Sequence, residues 1–207
     1  MIAIVHYGLG NVQAIANIYR RLNLPVEIVT DGARLAVAER IVLPGVGAFD
    51  WAMSQLNDSG MRPALEAAMR SQRKPVLGIC VGMQMLADRS DEGVLPGLGW
   101  VAGTVRRFDQ GSAVSEMRLP HMGWNDVRPR QPGGLFAGLE AQARFYFLHS
   151  YYFAPANPES TLAETDYHGV FAASVRVGNV FGVQFHPEKS HQWGVQLLKN
   201  FAEVPSC

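Results

Sequence analysis

The chain is 207 residues long, 48% hydrophobic and 17% charged, which argues against a disordered protein and suits a single packed domain over 1–207. Its formal net charge is zero, which argues against nucleic acid and anionic membrane as partners. Two cysteines, Cys80 and Cys207, are too few for a disulfide framework and lack metal-ligand spacing, so a reducing, cytoplasmic setting without metal or cofactor is expected.

Ile2 to Val5 reads as a buried first strand, and Gly8 and Gly10 end it too early for a signal peptide. Tyr7-Gly-Leu-Gly-Asn11 is a turn, and Val12 to Leu22 has helical apolar spacing with Arg20 and Arg21 in its last turn. Val26–Val29 and Ile41–Leu43 read as the second and third strands. Pro44-Gly-Val-Gly47 breaks the chain, and helices are expected from Phe49 to Leu56 and from Pro63 to Arg70. Val76 to Ile79 is the fourth strand, followed by a helical pattern over Met83 to Ala87. Strands apolar on both faces, alternating with helices, predict an α/β fold with a mostly parallel sheet covered on both sides. Catalytic loops in such sheets gather at the carboxyl ends of the strands, so Tyr7–Asn11, Pro44–Gly47 and Cys80 are expected on one edge. After Gly97 the segments 99–108, 123–127, 144–148, 161–165, 170–177 and 180–184 read as shorter strands. Hairpin turns are expected at Tyr167-His-Gly169 and Gly178-Asn179, and a closing helix over His191 to Ala202. This second half is expected to add antiparallel strands to the same sheet.

Gly78-Ile-Cys-Val-Gly82 places a cysteine between small residues on a strand-to-helix turn. A nucleophile elbow needs that spacing because the backbone doubles back on itself. The following helix would also turn unpaired N–H groups toward the sulfur and favour its anion. The opposing reading is a buried cysteine acting as a small hydrophobe. Phe185-His-Pro-Glu188 supplies a base and an orienting carboxylate two residues apart, which face one way in an extended segment. Cys80, His186 and Glu188 therefore suit a nucleophile, base and orienter, against a reading of His186 and Glu188 as a solvated strand end. The glycines of Pro44–Gly47 can direct N–H groups at an oxyanion, although such a loop is often only a turn.

Taken in order, Pro-Gly-x-Gly, Gly-Ile-Cys-x-Gly-Met-Gln and His-Pro-Glu resemble the class I, triad-type glutamine amidotransferases along nearly the whole chain. Pro120-His-Met-Gly-Trp-Asn125, Tyr146-Phe-Leu-His-Ser-Tyr-Tyr152, Tyr7–Asn11 and His186–Ser190 are similar to the amidotransferase subunits of imidazole glycerol phosphate synthases. That resemblance implies a flavodoxin-like fold and hydrolysis of L-glutamine to glutamate and ammonia. It makes Cys80 the nucleophile, His186 the base and Glu188 its orienter. Oxyanion donors would come from Gly45, Val46 or Gly47 and from Val81. Glutamine would be held by Gln84, Glu92 and the Ser150–Tyr151 backbone, although Glu92 in its charged stretch also reads as a solvated side chain. The family's partner is a separate (β/α)₈ cyclase subunit that receives ammonia along a sheltered path and converts phosphoribulosyl-formimino-AICAR-phosphate to imidazole glycerol phosphate and AICAR. Asn11, Trp124, Tyr146 and Lys189 match positions near that interface, where Trp124 also reads as core and Lys189 as a surface charge. His6 stands where the family usually carries Asp, and Val81 where Leu is commoner. The other readings are a glutaminase of the pyridoxal-phosphate-forming kind, a cysteine peptidase on the same fold, and a binding module without activity.

Overall fold

The computed structural model describes residues 1–108 and 117–205; Cys207, expected to be an incidental thiol, lies outside them. The first strand, β1 (Ile2–Val5), is buried along its whole length. Helix α1 (Val12–Arg21) starts where the Asn11 side chain accepts a hydrogen bond from the Ala14 N–H, and it buries Ile15, Ala16, Ile18 and Tyr19 on one stripe. Burying an isoleucine such as Ile15 contributes about 1.5–3 kcal/mol. There follow β2 (Val26–Val29), α2 (Gly32–Val37), β3 (Arg40–Gly45), α3 (Phe49–Asp58), α4 (Arg62–Arg70) and β4 (Val76–Cys80). The elbow helix α5 (Val81–Gln84) is a single turn. The second half supplies β5 (Arg89–Ser90), β6 (Gly103–Arg107), β7 (His121–Asp126), β8 (Arg128–Pro129), β9 (Arg144–His149) and β10 (Tyr151–Pro155). It closes with β11 (Thr161–Asp166), β12 (Val170–Val177), β13 (Val180–Val183) and α6 (His191–Glu203).

An eight-stranded sheet runs in the order β2-β1-β3-β4-β13-β12-β11-β8. It is parallel from β2 through β13 and antiparallel beyond. Two registers place the functional loops. Gly45 on β3 pairs with Cys80 on β4, and Val183 on β13 pairs with Ile79. The chain leaving β13 therefore passes Cys80 at Gln184 and reaches His186 just off the strand end, where α/β sheets hold their ligands. No helix among the described residues is long and apolar enough to cross a membrane.

The α/β class with its mostly parallel sheet is present. The second half differs from a simple antiparallel addition. β13 joins β4 in parallel, only β12, β11 and β8 extend the sheet antiparallel, and two small sheets stand apart, β10-β6-β5 and β7-β9. Helix α2 is short and buries only Leu35, so it leaves no periodic signal. The stretch after Gln84 is not the helix expected over Met83–Ala87. The carbonyls of Met85, Leu86 and Ala87 accept instead from Leu98, Trp100 and Gly99, so tertiary partners replace the helical ones.

Candidate active site

Cys80 closes β4 with φ at 56°, a left-handed conformation that costs a non-glycine residue about 1–3 kcal/mol. The flanking glycines make that turn possible. A Cβ on Gly82 would run into the Leu43 carbonyl, and one on Gly78 would press on the Gly82 carbonyl. Cys80 is 3% exposed. A cavity of about 360 Å³ opens beside it, of a size to take a small ligand, with Val46, Gly47, Val81, Gln84, Glu92, Ser150, Tyr151, His186 and Lys189 on its walls.

His186 is buried, and its Nδ1 lies 2.9 Å from Glu188 Oε1. The pair is brought together by a 3₁₀ turn over Pro187–Lys189, not by the extended segment expected from the His-Pro-Glu spacing. Proline at the first position of that turn has its φ already suited to it. The segment is locked to β9: the His186 N–H donates to the Tyr146 carbonyl, the Tyr146 N–H to Ser190 Oγ, and Ser190 Oγ to the His186 carbonyl. Burial of the His186 ring opposes its protonation. Its hydrogen bonds and charge interactions with Cys80 and Glu188 outweigh that and raise its pKa to about 10. An imidazolium in this position carries a proton ready for a departing amine.

Val46, Gly47 and Val81 face the cavity. Gly45 does not line it. Gly45 sits in β3 against the Val81–Gly82 backbone, with a hypothetical Cβ 2.5 Å from the Gly82 nitrogen, so it sets the approach of the loop to the elbow. The loop also has a brace that no sequence motif announces. Tyr7 is buried and its hydroxyl donates to the Pro44 carbonyl at 2.7 Å, while Gly10 abuts the Pro44 ring.

Gln84 uses both amide hydrogens, one on the Tyr151 carbonyl at 3.0 Å and one on Gln184 Oε1 at 3.1 Å. Its own Oε1 is thereby left as the acceptor available to a ligand. Gln184 is fully buried, with Nε2 3.9 Å from the Cys80 sulfur; sequence reasoning misses it because a glutamine at a strand end carries no signal by itself. Glu92 lies on the cavity wall, and one of its oxygens also accepts the Phe49 N–H at the start of α3. It is not the freely solvated charge that its acidic stretch suggests.

Trp124, 38% exposed, stacks on His191 at 5.1 Å and meets Tyr146 edge-on at 6.3 Å. Lys189 Nζ lies 5.6 Å from the centroid of the same Tyr146 ring. These three form one cluster, whereas Asn11 caps α1. His121 and His149 are a further pair that sequence reasoning misses. Both are buried, 3.0 Å apart, and His149 faces the cavity. The available signal is alternation, because His149 shares the inward face of β9 with Phe145 and Phe147.

The family model for class-I glutamine amidotransferases matches residues 3–204. The chain is 58% identical over 204 residues to the imidazole glycerol phosphate synthase subunit HisH of Bdellovibrio bacteriovorus, covering 99% of this chain and all of that one. It is 45% identical to the HisH subunit of Leptospira interrogans and 43% identical to the HisH 2 subunit of Pseudomonas aeruginosa, each over 99% of this chain and the whole of the relative. Among solved structures, a glutamine amidotransferase superimposes with a TM-score of 0.75 at 19% identity, covering 98% of both chains. Another glutamine amidotransferase, from Thermotoga maritima, reaches 0.64 at 17% identity, covering 98% of this chain and 82% of that one. At such identities the superpositions speak to the fold.

Proposed function

The chain belongs to the class-I glutamine amidotransferase family, and from that premise we propose that it is the glutaminase subunit of an imidazole glycerol phosphate synthase. The observation that carries the chemistry is the meeting of Cys80 with the His186–Glu188 pair at one cavity. The assignment to this synthase rests on identity to HisH subunits over the full chain.

The Cys80 sulfur attacks the side-chain carbon of L-glutamine while His186 carries the proton. The carbonyl oxygen becomes an oxyanion facing N–H groups of the Val46–Gly47 loop and of Val81. The carbon–nitrogen bond then breaks, the nitrogen leaves as ammonia with the proton from His186, and a glutamyl thioester remains on Cys80. Water, deprotonated by His186, attacks the thioester, and glutamate departs as the sulfur is regenerated. Glu188 holds the ring in one orientation and supports its charged form. Gln84 and Glu92 meet the amino group of the substrate, and the Ser150–Tyr151 backbone meets its carboxylate.

Free ammonia in neutral water protonates and ceases to be a nucleophile, so it passes directly to a (β/α)₈ cyclase subunit, which carries out the lyase step on phosphoribulosyl-formimino-AICAR-phosphate. Trp124, Tyr146 and Lys189 form the docking cluster, with Asn11 on the same partner face. The test is synthesis by the assembled complex. Cys80→Ala is expected to lower glutamine-dependent synthesis about 10⁴-fold or more and to leave ammonia-dependent cyclisation intact. Wild-type glutamine turnover is expected to rise when the cyclase and its ligand are added. Retained glutamine-dependent synthesis in the alanine variant would remove Cys80 as nucleophile, and equal turnover with and without the cyclase would remove the coupling.

A further inference from the structure

Behind the Ser150–Tyr151 wall of the cavity runs a line of hydrogen bonds whose direction is fixed at both ends. At the outer end, the Asn125 amide is oriented by two neighbours. Its Oδ1 accepts the Asp126 N–H at 2.8 Å, and its Nδ2 donates to the Asp166 carbonyl at 2.8 Å. Asn125 therefore presents its second hydrogen to His121 Nε2, 3.3 Å away. At the inner end, His149 Nδ1 lies 2.8 Å from the Tyr151 carbonyl, which accepts only. His149 must carry its proton on Nδ1, which leaves its Nε2 as an acceptor. The bond between His121 Nδ1 and His149 Nε2, at 3.0 Å, is then donated by His121. Both ends demand the same two tautomers, each protonated on Nδ1 alone.

The surroundings keep the pair neutral. His121 is stacked between Phe147, at 4.7 Å, and Tyr167, at 4.0 Å, and Phe171 stands edge-on to both histidines. The Tyr151 carbonyl accepts from His149 and from Gln84 together, so both its lone pairs are engaged. Gln84 in turn aligns with Gln184, next to the Cys80 sulfur.

We propose that His121 and His149 are positioning residues for glutamine turnover: a one-way chain of N–H donors from Asn125 pins the Tyr151 carbonyl and, through it, the Gln84 amide that meets the substrate. This rests on the glutaminase reading of the cavity. The chain begins on β7, the strand that also carries Trp124, so a shift of that strand reaches the substrate wall through hydrogen bonds alone.

Two measurements test it. The first is ¹⁵N NMR of the histidine-labelled wild-type chain at pH 7. His121 and His149 are both expected to be neutral with Nδ1 protonated, opposite to the tautomer favoured in water; a proton on Nε2 of either ring overturns the inference. The second compares Asn125→Asp with Asn125→Ala in the cyclase complex. A carboxylate accepts where the amide donates, so Asn125→Asp demands a proton on His121 Nε2. A ring that stays neutral then gives up its Nδ1 proton, which sets acceptor against acceptor at His149 or, if His149 switches too, at the Tyr151 carbonyl. It is expected to raise KM for glutamine about tenfold with kcat within about threefold, while Asn125→Ala, which removes a donor without reversing direction, stays within about twofold in KM. Ammonia-dependent cyclisation is unchanged in both. Equal behaviour of the two variants, or a fall in kcat at constant KM, overturns the inference while the glutaminase reading stands. A wild-type complex inert toward glutamine overturns both, whatever the tautomers.

Discussion

The wall of the cavity that carries Cys80 is made of backbone under steric constraint, whereas the facing wall is made of side-chain hydrogen bonds gathered from distant strands. On the first wall, β3, β4 and the elbow approach so closely that Gly45, Gly78 and Gly82 admit no Cβ, and Cys80 itself takes a left-handed φ. On the second, Gln84, Gln184, His149 and His121 meet from α5, the end of β13, β9 and β7, and their geometry depends on which atom donates. Shape is imposed locally on one side and negotiated over long sequence separations on the other. Damage to the two walls should therefore differ in kind. Steric damage to the elbow acts on folding, and damage to the polar wall acts through orientation and protonation.

The harshest test of the contrast is Gly82→Ala. The new methyl group meets the Leu43 carbonyl in the part of β3 that is buried from Ile41 to Gly45, where neither partner can move aside. A loss of about 4 kcal/mol or more is expected in urea unfolding, an exceptional effect for one methyl. Near-wild-type stability would sink the steric account of that wall.

The polar wall should respond to acid. Burial lowers the pKa of His121 to about 4 and that of His149 to about 3, against an ordinary 6.5. Groups depressed in this way favour the folded state above pH 6.5, and that advantage drains as pH falls toward their folded values. His186, raised to about 10, works oppositely: its contribution is complete below 6.5 and lost as pH climbs toward 10. Below pH 6 the buried pair dominates the slope from these three rings, because His186 is then charged in both states. The pair should remove about 2–3 kcal/mol between pH 6 and 5, at up to 1.4 kcal/mol per pH unit for each ring. Urea unfolding at several pH values measures it, and a flat profile over that interval would place the proton elsewhere.

The same contrast divides what is legible in the sequence from what is not. The elbow is legible because Gly-x-Cys-x-Gly is a steric requirement written in adjacent residues. The parallel core is legible because its strands are apolar on both faces. The His186–Glu188 pairing is legible in its partners, while the 3₁₀ turn that makes it is not. Gln184, His121 and His149 are hidden because a single polar residue on a buried face has no local pattern; its meaning lies in a partner tens of residues away. The two detached small sheets are hidden for the same reason, since strand partnership in β6, β7, β9 and β10 depends on long-range pairing.

The mildest test bridges the walls. Tyr7→Phe removes only the hydroxyl that holds the Pro44 carbonyl. Steady-state assays of the complex should show kcat reduced about three- to tenfold with KM little changed, well short of the 10²–10³ typical of losing an oxyanion donor outright. An unchanged kcat would show that the loop keeps its position without the brace.

The insertion of β13 between β4 and β12 has a consequence in time. During synthesis, β4 and its cysteine emerge early beside β3, but β13, which pairs with Ile79 from the other side through Val183, is made much later. Until then the edge of β4 is bare and the sulfur has no imidazole beside it. On the mechanism proposed above, a nascent chain therefore holds a nucleophile that cannot consume glutamine. The proposed reaction becomes possible only when the late strand slots into the middle of the sheet and delivers His186. Folding this sheet is the arming step of the catalyst.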